Sequence, residues 1–350
     1  MRGGATNSTG VRTGAWAVLL GLLALVLVSS VLSANIGSTA VPPGQVVRAV
    51  WGHLGGPLTV SPATDVIVWR LRLPRIALAL LVGASLAMAG VLMQSLFHNP
   101  MADPYIVGVS AGAALGAVVA VSLGLHVALL GLNACALLAF ASGLAVTFLV
   151  YGLSRRGGRV PVGTLLLTGI AVGGLMQAVT AFLLLQREHS EMREVIIWLM
   201  GSLANRDWRH VLALLPYTLL GMTIALAWRR DLNILALGDE TAHHLGVHLE
   251  RTKFLLLTTA SLLAAAAVAV SGVIAFVGLI VPHLMRLVVG PNHRALLPAC
   301  LLCGGLLLVW ADVLARTLMA GGELPIGIVT SVLGCPFFLY LLHRRGQGGF

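Results

Sequence analysis

From end to end the chain alternates long apolar runs with short polar breaks, and the runs recur from Ala15 to Leu342. A helix that crosses a bilayer needs about 20 mainly apolar residues. On that criterion ten spans are predicted, at about 14–35, 67–97, 106–124, 126–152, 161–186, 209–228, 252–270, 273–284, 295–316 and 325–342. The fold class is therefore all-α, a polytopic membrane helix bundle of about ten transmembrane helices per subunit. The eighth run is too short to cross as a full helix. Irregular backbone at membrane depth is tolerated only where it is buried in protein or faces a cavity, so a broken segment is expected around 271–278. The first run is longer than the apolar part of a cleaved signal peptide and lacks a small-x-small site, which makes it a retained span. The expected organisation is a cytoplasmic tail over 1–13, one transmembrane domain over 14–345 and a C-terminal tail over 346–350.

Placing the charges on this pattern gives it a direction. An even number of spans puts both termini on one side. That side receives Arg2 and Arg12, then Arg155, Arg156 and Arg159, then Arg229, Arg230, Arg251 and Lys253, then Arg286 and Arg294, and finally Arg344 and Arg345. Most of the basic residues fall there, and the positive-inside rule makes it the cytoplasm. A nine-span reading would scatter the same charges. The formal net charge of +10 is thus explained by loop bias and does not ask for nucleic acid.

Composition agrees. The chain has 350 residues, 58% of them hydrophobic and 10% charged, whereas an average soluble domain is about 25% charged. All four cysteines lie in apolar runs. Cys300 and Cys303 form a C-x-x-C, but no His, Asp or third Cys lies within a helical turn, so the pair reads as small residues on a spanning helix. Gly108, Gly112 and Gly116, and likewise Gly83, Ala87 and Gly90, make small faces on which helix backbones can approach closely.

The acidic residues constrain the transport class. Only Asp312 lies inside a predicted span, near its outer end, with Arg316 following at i+4 on the same face. No carboxylate sits at a span centre, where ion-coupled carriers need buried ionisable groups. That counts against the rival reading, an ion-coupled secondary carrier or facilitator acting without an ATPase. The chain has one lysine, Lys253, and no phosphate-binding G-x-x-x-x-G-K precedes it. Nor is there a metal-ligand cluster or a nucleophile–base set. Intrinsic enzymatic activity is not expected, and any ATP hydrolysis must come from another chain.

Three polar features stand out. Arg70-Leu71-Arg72-Leu73-Pro74-Arg75 puts positive charge at the outer end of the second span, against the global bias. It reads either as interfacial snorkelling or as a docking site for an acidic partner, since guanidinium forks bind carboxylates bidentately. Between the sixth and seventh spans, Leu237-Gly238-Asp239-Glu240-Thr241-Ala242-His243-His244-Leu245-Gly246-Val247 reads as a short helix with acids at its start and Gly246 at C′. Leu237, Ala242 and Leu245 offer it a small apolar face, either for a soluble partner or for a plain capped connection. Asn99-Pro100-Met101-Ala102-Asp103-Pro104 breaks the helix after the second span at the cytoplasmic mouth, as a gate or as a simple turn.

With these blocks in hand, the chain resembles the membrane permeases of the FecCD type, importers of ferric siderophores, haem and cobalamin. The matching residues are Arg72-Leu73-Pro74-Arg75, Gly83-Ala84, Gly90, Gln94, the 99–104 turn, and Gly108-Val109-Ser110-Ala111-Gly112-Ala113. They continue through Leu237-Gly238, Ala242, Leu245-Gly246, Ser271-Gly272, Phe276-Val277-Gly278-Leu279, Pro282-His283 and Arg286. The last blocks are Ala311-Asp312, Ala315-Arg316, Glu323-Leu324-Pro325 with Gly327, and Gly334 with Pro336-Phe337.

The resemblance implies the type II ABC importer permease architecture in a homodimer, in the bacterial inner membrane, with both termini cytoplasmic. Its partners would be two copies of an ABC ATPase and one soluble binding protein, besides the lipid bilayer. The chain itself would bind no cofactor; ATP and Mg would sit on the ATPase. Arg72, Arg75 and Arg316 match the residues that receive the binding protein. Asn99 and Met101 match the cytoplasmic gate, where Leu is commoner than Met, and Pro161-Val162-Gly163 matches a second constriction without its usual hydroxyl residues. Leu237, Gly238, Asp239, Glu240, Ala242, Leu245 and Gly246, within 237–247, match the segment that docks on the ATPase. Iron–siderophore is the expected cargo ahead of cobalamin and haem, because that group is the largest in the family.

Overall fold

The computed structural model describes residues 7–37, 39–57, 59–125, 127–129, 131–319 and 322–346. Residues 1–6 and 347–350, which the expected tails include, lie outside the described residues.

The chain folds as α1 (Asn7–Asn35), α2 (Pro43–His53) and α3 (Pro62–Asp65), which runs through a π-helical stretch (Val66–Arg72) into α4 (Leu73–Leu96). A 3-10 turn (Pro104–Val107) leads to α5 (Val109–Ser122), a two-stranded hairpin of β1 (Ala128–Leu129) and β2 (Leu132–Asn133), and α6 (Ala134–Ser154). Next come α7 (Val162–Leu185), α8 (His189–Leu199), α9 (Trp208–Ala227), α10 (Arg229–Leu235) and α11 (Asp239–His244). The chain closes with α12 (Leu249–Ser271), α13 (Val277–Val289), α14 (His293–Thr317) and α15 (Ile326–Gly346).

Among the described residues, 7 helices are long and apolar enough to cross a membrane, and α5, α13 and α15 are shorter apolar helices. Together they account for the ten predicted spans. Two starts moved most, each for a local reason. The second span starts at Pro62, where the Ser61 side chain caps the helix by accepting from the Thr64 N–H. The fourth starts at Ala134, because Asn133 caps it by accepting from the Ala136 N–H and the hairpin occupies the residues before.

The core is built on α4 and α12, whose apolar windows are 83% and 78% buried, against 22% for α7 and 17% for α1. Glycine makes this centre possible. A Cβ on Gly83 would sit 2.1 Å from the Gly304 carbonyl oxygen of α14, and one on Gly90 only 1.9 Å from that of Gly278 in α13. Backbone therefore packs on backbone, as close helix pairs in membranes require.

The expected break is present. α12 stops at Ser271, Phe276 adopts a left-handed φ of 70°, and α13 restarts at Val277. The freed backbone groups are met by neighbouring segments. The Ser202 N–H donates to the Ser271 carbonyl at 2.7 Å. Tyr105 donates its hydroxyl to the Ile274 carbonyl at 3.0 Å. The irregular stretch is thus paid for within the protein.

Candidate functional site

The molecule has two polar faces, at opposite ends of the bundle. One carries Arg72 and the end of α1, the other carries α11 and the end of α4.

On the Arg72 face the sequence-predicted arginines come together, but they are turned inward. Arg72 is 7% exposed. It donates to the Ala34 carbonyl at 2.6 Å and to that of Asn35, which are left open where α1 ends, and to the Thr39 carbonyl in the loop that follows. The loop after α1 wraps so tightly around it that a Cβ on Gly37 would lie 2.8 Å from the Arg72 guanidinium. Arg316 does the same for α1 from the other side, donating to the Ser33 carbonyl and hydroxyl and to the Ile36 carbonyl at 2.7–2.8 Å. Arg75 Nε lies 2.8 and 3.0 Å from the two oxygens of Asp312, and its Nη1 reaches Glu323 at 2.9 Å. Asp312, 1% exposed, also faces Arg316 Nε at 3.5 Å, so the expected i,i+4 pair is half of a larger cluster. Two guanidinium groups against one buried carboxylate and one surface carboxylate leave little uncompensated charge.

The same arginines line the floor of a depression of about 1070 Å³ that Arg70, Arg206, Asp207 and Glu323 also border. Arg70 is exposed and makes no hydrogen bond or ion pair with a described residue. It belongs to the arginine motif but not to the docking residues that the resemblance implies; position in the helix separates it from Arg72, which lies two residues on and therefore points elsewhere. Beside the depression, burial alone would raise the Asp207 carboxyl, but the hydrogen bond and charge of His210, at 2.8 Å, together with the Arg209 and His210 N–H groups hold it below the usual range.

On the α11 face the predicted short helix is present. The Gly246 N–H donates to the His243 carbonyl and the Val247 N–H to that of Ala242, both at 3.0 Å. Gly246 has φ 85°. This is a Schellman closure with Gly246 at C′. The three apolar residues part company. Ala242 is fully buried and seats the helix on its own bundle, while Leu237 and Leu245 are 63% and 54% exposed. Gly238, with φ 102°, sets the entry angle. Glu240 is exposed, and Asp239 accepts from Lys253 on α12.

The 99–104 turn lies beside this helix. The Asn99 carboxamide oxygen accepts from the Met101 N–H at 2.9 Å, and Asp103 accepts from the Tyr105 N–H at 2.8 Å. Two side-chain-capped turns in succession fix the path of the backbone. Burial pushes the Asp103 carboxyl up to about 6, partly offset by the Tyr105 N–H. The loop at Pro161-Val162 is anchored to the same face, since the Val160 N–H donates to Glu250 at 3.1 Å.

This layout can be set against known proteins. The model of the FecCD transport family matches residues 24–344. The chain belongs to the FecCD transport family. As a FecCD protein it is a multi-pass membrane permease subunit of the ABC importer type. Its relatives include the cobalamin import system permease BtuC of Halobacterium salinarum, 47% identical over 325 residues that cover 90% of this chain and 86% of the relative. The hemin transport permease HmuU of Yersinia pestis is 41% identical, covering 94% of this chain and 96% of the relative. The vitamin B12 import permease BtuC of Klebsiella pneumoniae is 37% identical over 94% and 95%. An inward-facing structure of a protein described as a metal-chelate type ABC transporter superposes with a TM-score of 0.82 at 32% identity, covering 94% of this FecCD chain and 99% of the other.

Proposed function

We propose that this permease works as a pair of identical subunits that import a metal-bearing tetrapyrrole, cobalamin in the first place, into the cytoplasm by alternating access. The observation that carries the reading is the 47% identity over 325 residues to a permease named for cobalamin import. Haem, the cargo named for a second relative, is a metal tetrapyrrole too. For that reason cobalamin is preferred here to the iron–siderophore cargo expected from family size.

In this reading two ATPase subunits bind the α11 face and one binding protein meets the Arg72 face. Leu237 and Leu245 supply the exposed apolar contact for the ATPase, with Gly238, Asp239, Glu240, Ala242 and Gly246 shaping and seating the helix. The chain adds no covalent chemistry, and ATP and Mg belong to the ATPase. Arg155, Arg156, Arg159, Arg251 and Lys253 lie on the α11 side, which supports its placement in the cytoplasm with both termini. Asn99 and Met101 form the cytoplasmic gate. On the opposite face Arg72, Arg75 and Arg316 form the floor of the docking depression and Arg70 its rim. ATP acts only through a difference in the ATPase's affinity for two permease states.

The test is uptake into proteoliposomes that hold the permease and its ATPase, with binding protein outside and ATP or a non-hydrolysable analogue inside. Labelled cobalamin, haem and ferric siderophores are offered separately. Cobalamin accumulation that needs both hydrolysable ATP and binding protein is the expected result. Uptake that ignores ATP and follows an ion gradient would replace the reading with a secondary carrier.

A further inference from the structure

The last turn of α4 is where three otherwise separate parts of the molecule meet. Gln94, 3% exposed, donates through Nε2 to the carbonyls of Gly278 and Leu279 at 3.4 and 3.2 Å, and its Oε1 accepts from Arg286. This ties α4 to the helix that follows the break. Ser95 Oγ lies 3.0 Å from His293 Nε2 at the start of α14. The other side of that imidazole, Nδ1, lies 2.8 Å from the Asn233 carboxamide oxygen in α10, which also accepts from the His293 backbone N–H at 2.9 Å. With Nδ1–H donating to Asn233, a neutral ring leaves Nε2 as an acceptor for the Ser95 hydroxyl, whose one proton it shares with the Val91 carbonyl at 2.9 Å.

His98 makes a second, independent link. Its Nε2 lies 2.8 Å from the Leu235 carbonyl, so it must carry the proton and donate. Asp239 Oδ1 stands 3.8 Å from the same nitrogen, while Asp239 Oδ2 is held by Lys253. His98 has φ 48°, a left-handed conformation that a non-glycine residue adopts at a cost. The residue is therefore held in place from outside, and the chain leaves it directly into Asn99. The Asn99 N–H in turn donates to the Gln94 carbonyl at 3.2 Å.

Leu232 and Leu235 of α10 are fully buried, so α10 and α11 cannot slide over α4 without moving these links. The body of α4 is locked by backbone packing at Gly83 and Gly90. Displacement of the α11 helix then has one compliant outlet, the turn after residue 96. We propose that the last turn of α4 transmits motion from the α10–α11 segment to the 99–103 turn, with His98 and the Ser95–His293–Asn233 chain as its two positioning links. This rests on the reading of the α11 face as the ATPase side.

The experiment compares wild-type, His98→Ala, His98→Gln, Ser95→Ala and the His98→Ala/Ser95→Ala double variant as assembled complexes in proteoliposomes. Three quantities are read: ATPase affinity, ATP hydrolysis, and cobalamin imported per ATP. His98→Ala should assemble and hydrolyse within about twofold of wild-type, yet import about tenfold less per ATP, a coupling loss of ordinary size. His98→Gln, whose amide can still donate to Leu235, should recover most of the import, which a merely structural role would not produce. Ser95→Ala is expected to lose less, and the double variant more than either single change. Import per ATP that stays at the wild-type value in all variants would overturn the proposal while leaving the importer reading intact. Wild-type import that does not need ATP would overturn both.

Discussion

The two polar faces hold similar numbers of ionisable groups and use them differently. On the Arg72 face the guanidinium groups turn into the protein. Arg72 and Arg316 satisfy the carbonyls that α1 leaves open at its C-terminus, and Arg75 neutralises a carboxylate that is 1% exposed. On the α11 face Leu237 and Leu245 turn outward and leave more than half of their surface open. Charge serves cohesion at one end, and greasy surface is left open at the other. α1 explains part of the difference: it is the least buried long helix, so its grip on the bundle depends on these polar ties together with contacts such as Trp310 Nε1 donating to Ser29 at 3.0 Å.

The largest expected effect falls on the buried carboxylate. Asp312→Ala leaves Arg75 and Arg316 facing each other without their shared partner and should cost about 3–5 kcal/mol of stability, measured by denaturant or thermal unfolding in detergent. A smaller cost, about 2 kcal/mol, is expected for Arg72→Ala, which strips the α1 carbonyls of a charged donor. Arg70→Ala sharpens the contrast, because it should leave the unfolding midpoint unchanged and weaken only binding-protein affinity. Arg75→Glu would set a second carboxylate against the buried Asp312, so charge reversal is read at the exposed rim: Arg70→Glu should weaken docking while ATPase assembly survives, and unchanged docking affinity at low salt would remove Arg70 from the docking surface.

Next in size is a pH effect at the α11 face. Asp103 in the folded protein titrates near pH 6, above its ordinary 3.8. The folded state therefore holds a proton that the unfolded chain releases, and the stability this gives is complete below the unfolded value and lost as pH rises through 6. Between pH 5 and pH 7 wild-type should lose stability relative to Asp103→Asn, in which the cap to Tyr105 can persist without the charge. Parallel pH profiles for the two proteins would contradict the burial argument.

Much of this was legible in the sequence. The ten spans follow from apolar run length alone, and the shortness of the eighth gave away the break before α13. The α11 helix and its Gly246 closure were readable because capping is local. Two amphipathic helices were passed over. α8 carries Met192, Val195, Ile196 and Leu199 at helical spacing, a pattern hidden by the polar residues around it, and α2 is announced by Pro43 at its first turn with Val46 and Ala49 facing in. The arginine network was out of reach for a different reason. Arg316 bonds to Ser33 and Ile36, and Arg75 to Asp312, over separations of more than 230 residues, and backbone carbonyls carry no mark in a sequence. Polarity showed that these arginines mattered; only packing shows that they face inward. In the same way Ala242, Leu237 and Leu245 look alike as apolar residues until one of them is seen to be buried.

The contrast between the faces is tested most directly by ATPase affinity, measured with unfolding midpoints on the Leu237→Ala/Leu245→Ala double variant and on Arg72→Ala. Removing two exposed leucines from a contact should weaken ATPase binding at least about tenfold at an unchanged midpoint, whereas Arg72→Ala should lower the midpoint and leave ATPase affinity alone. ATPase affinity that survives loss of both leucines would contradict the account.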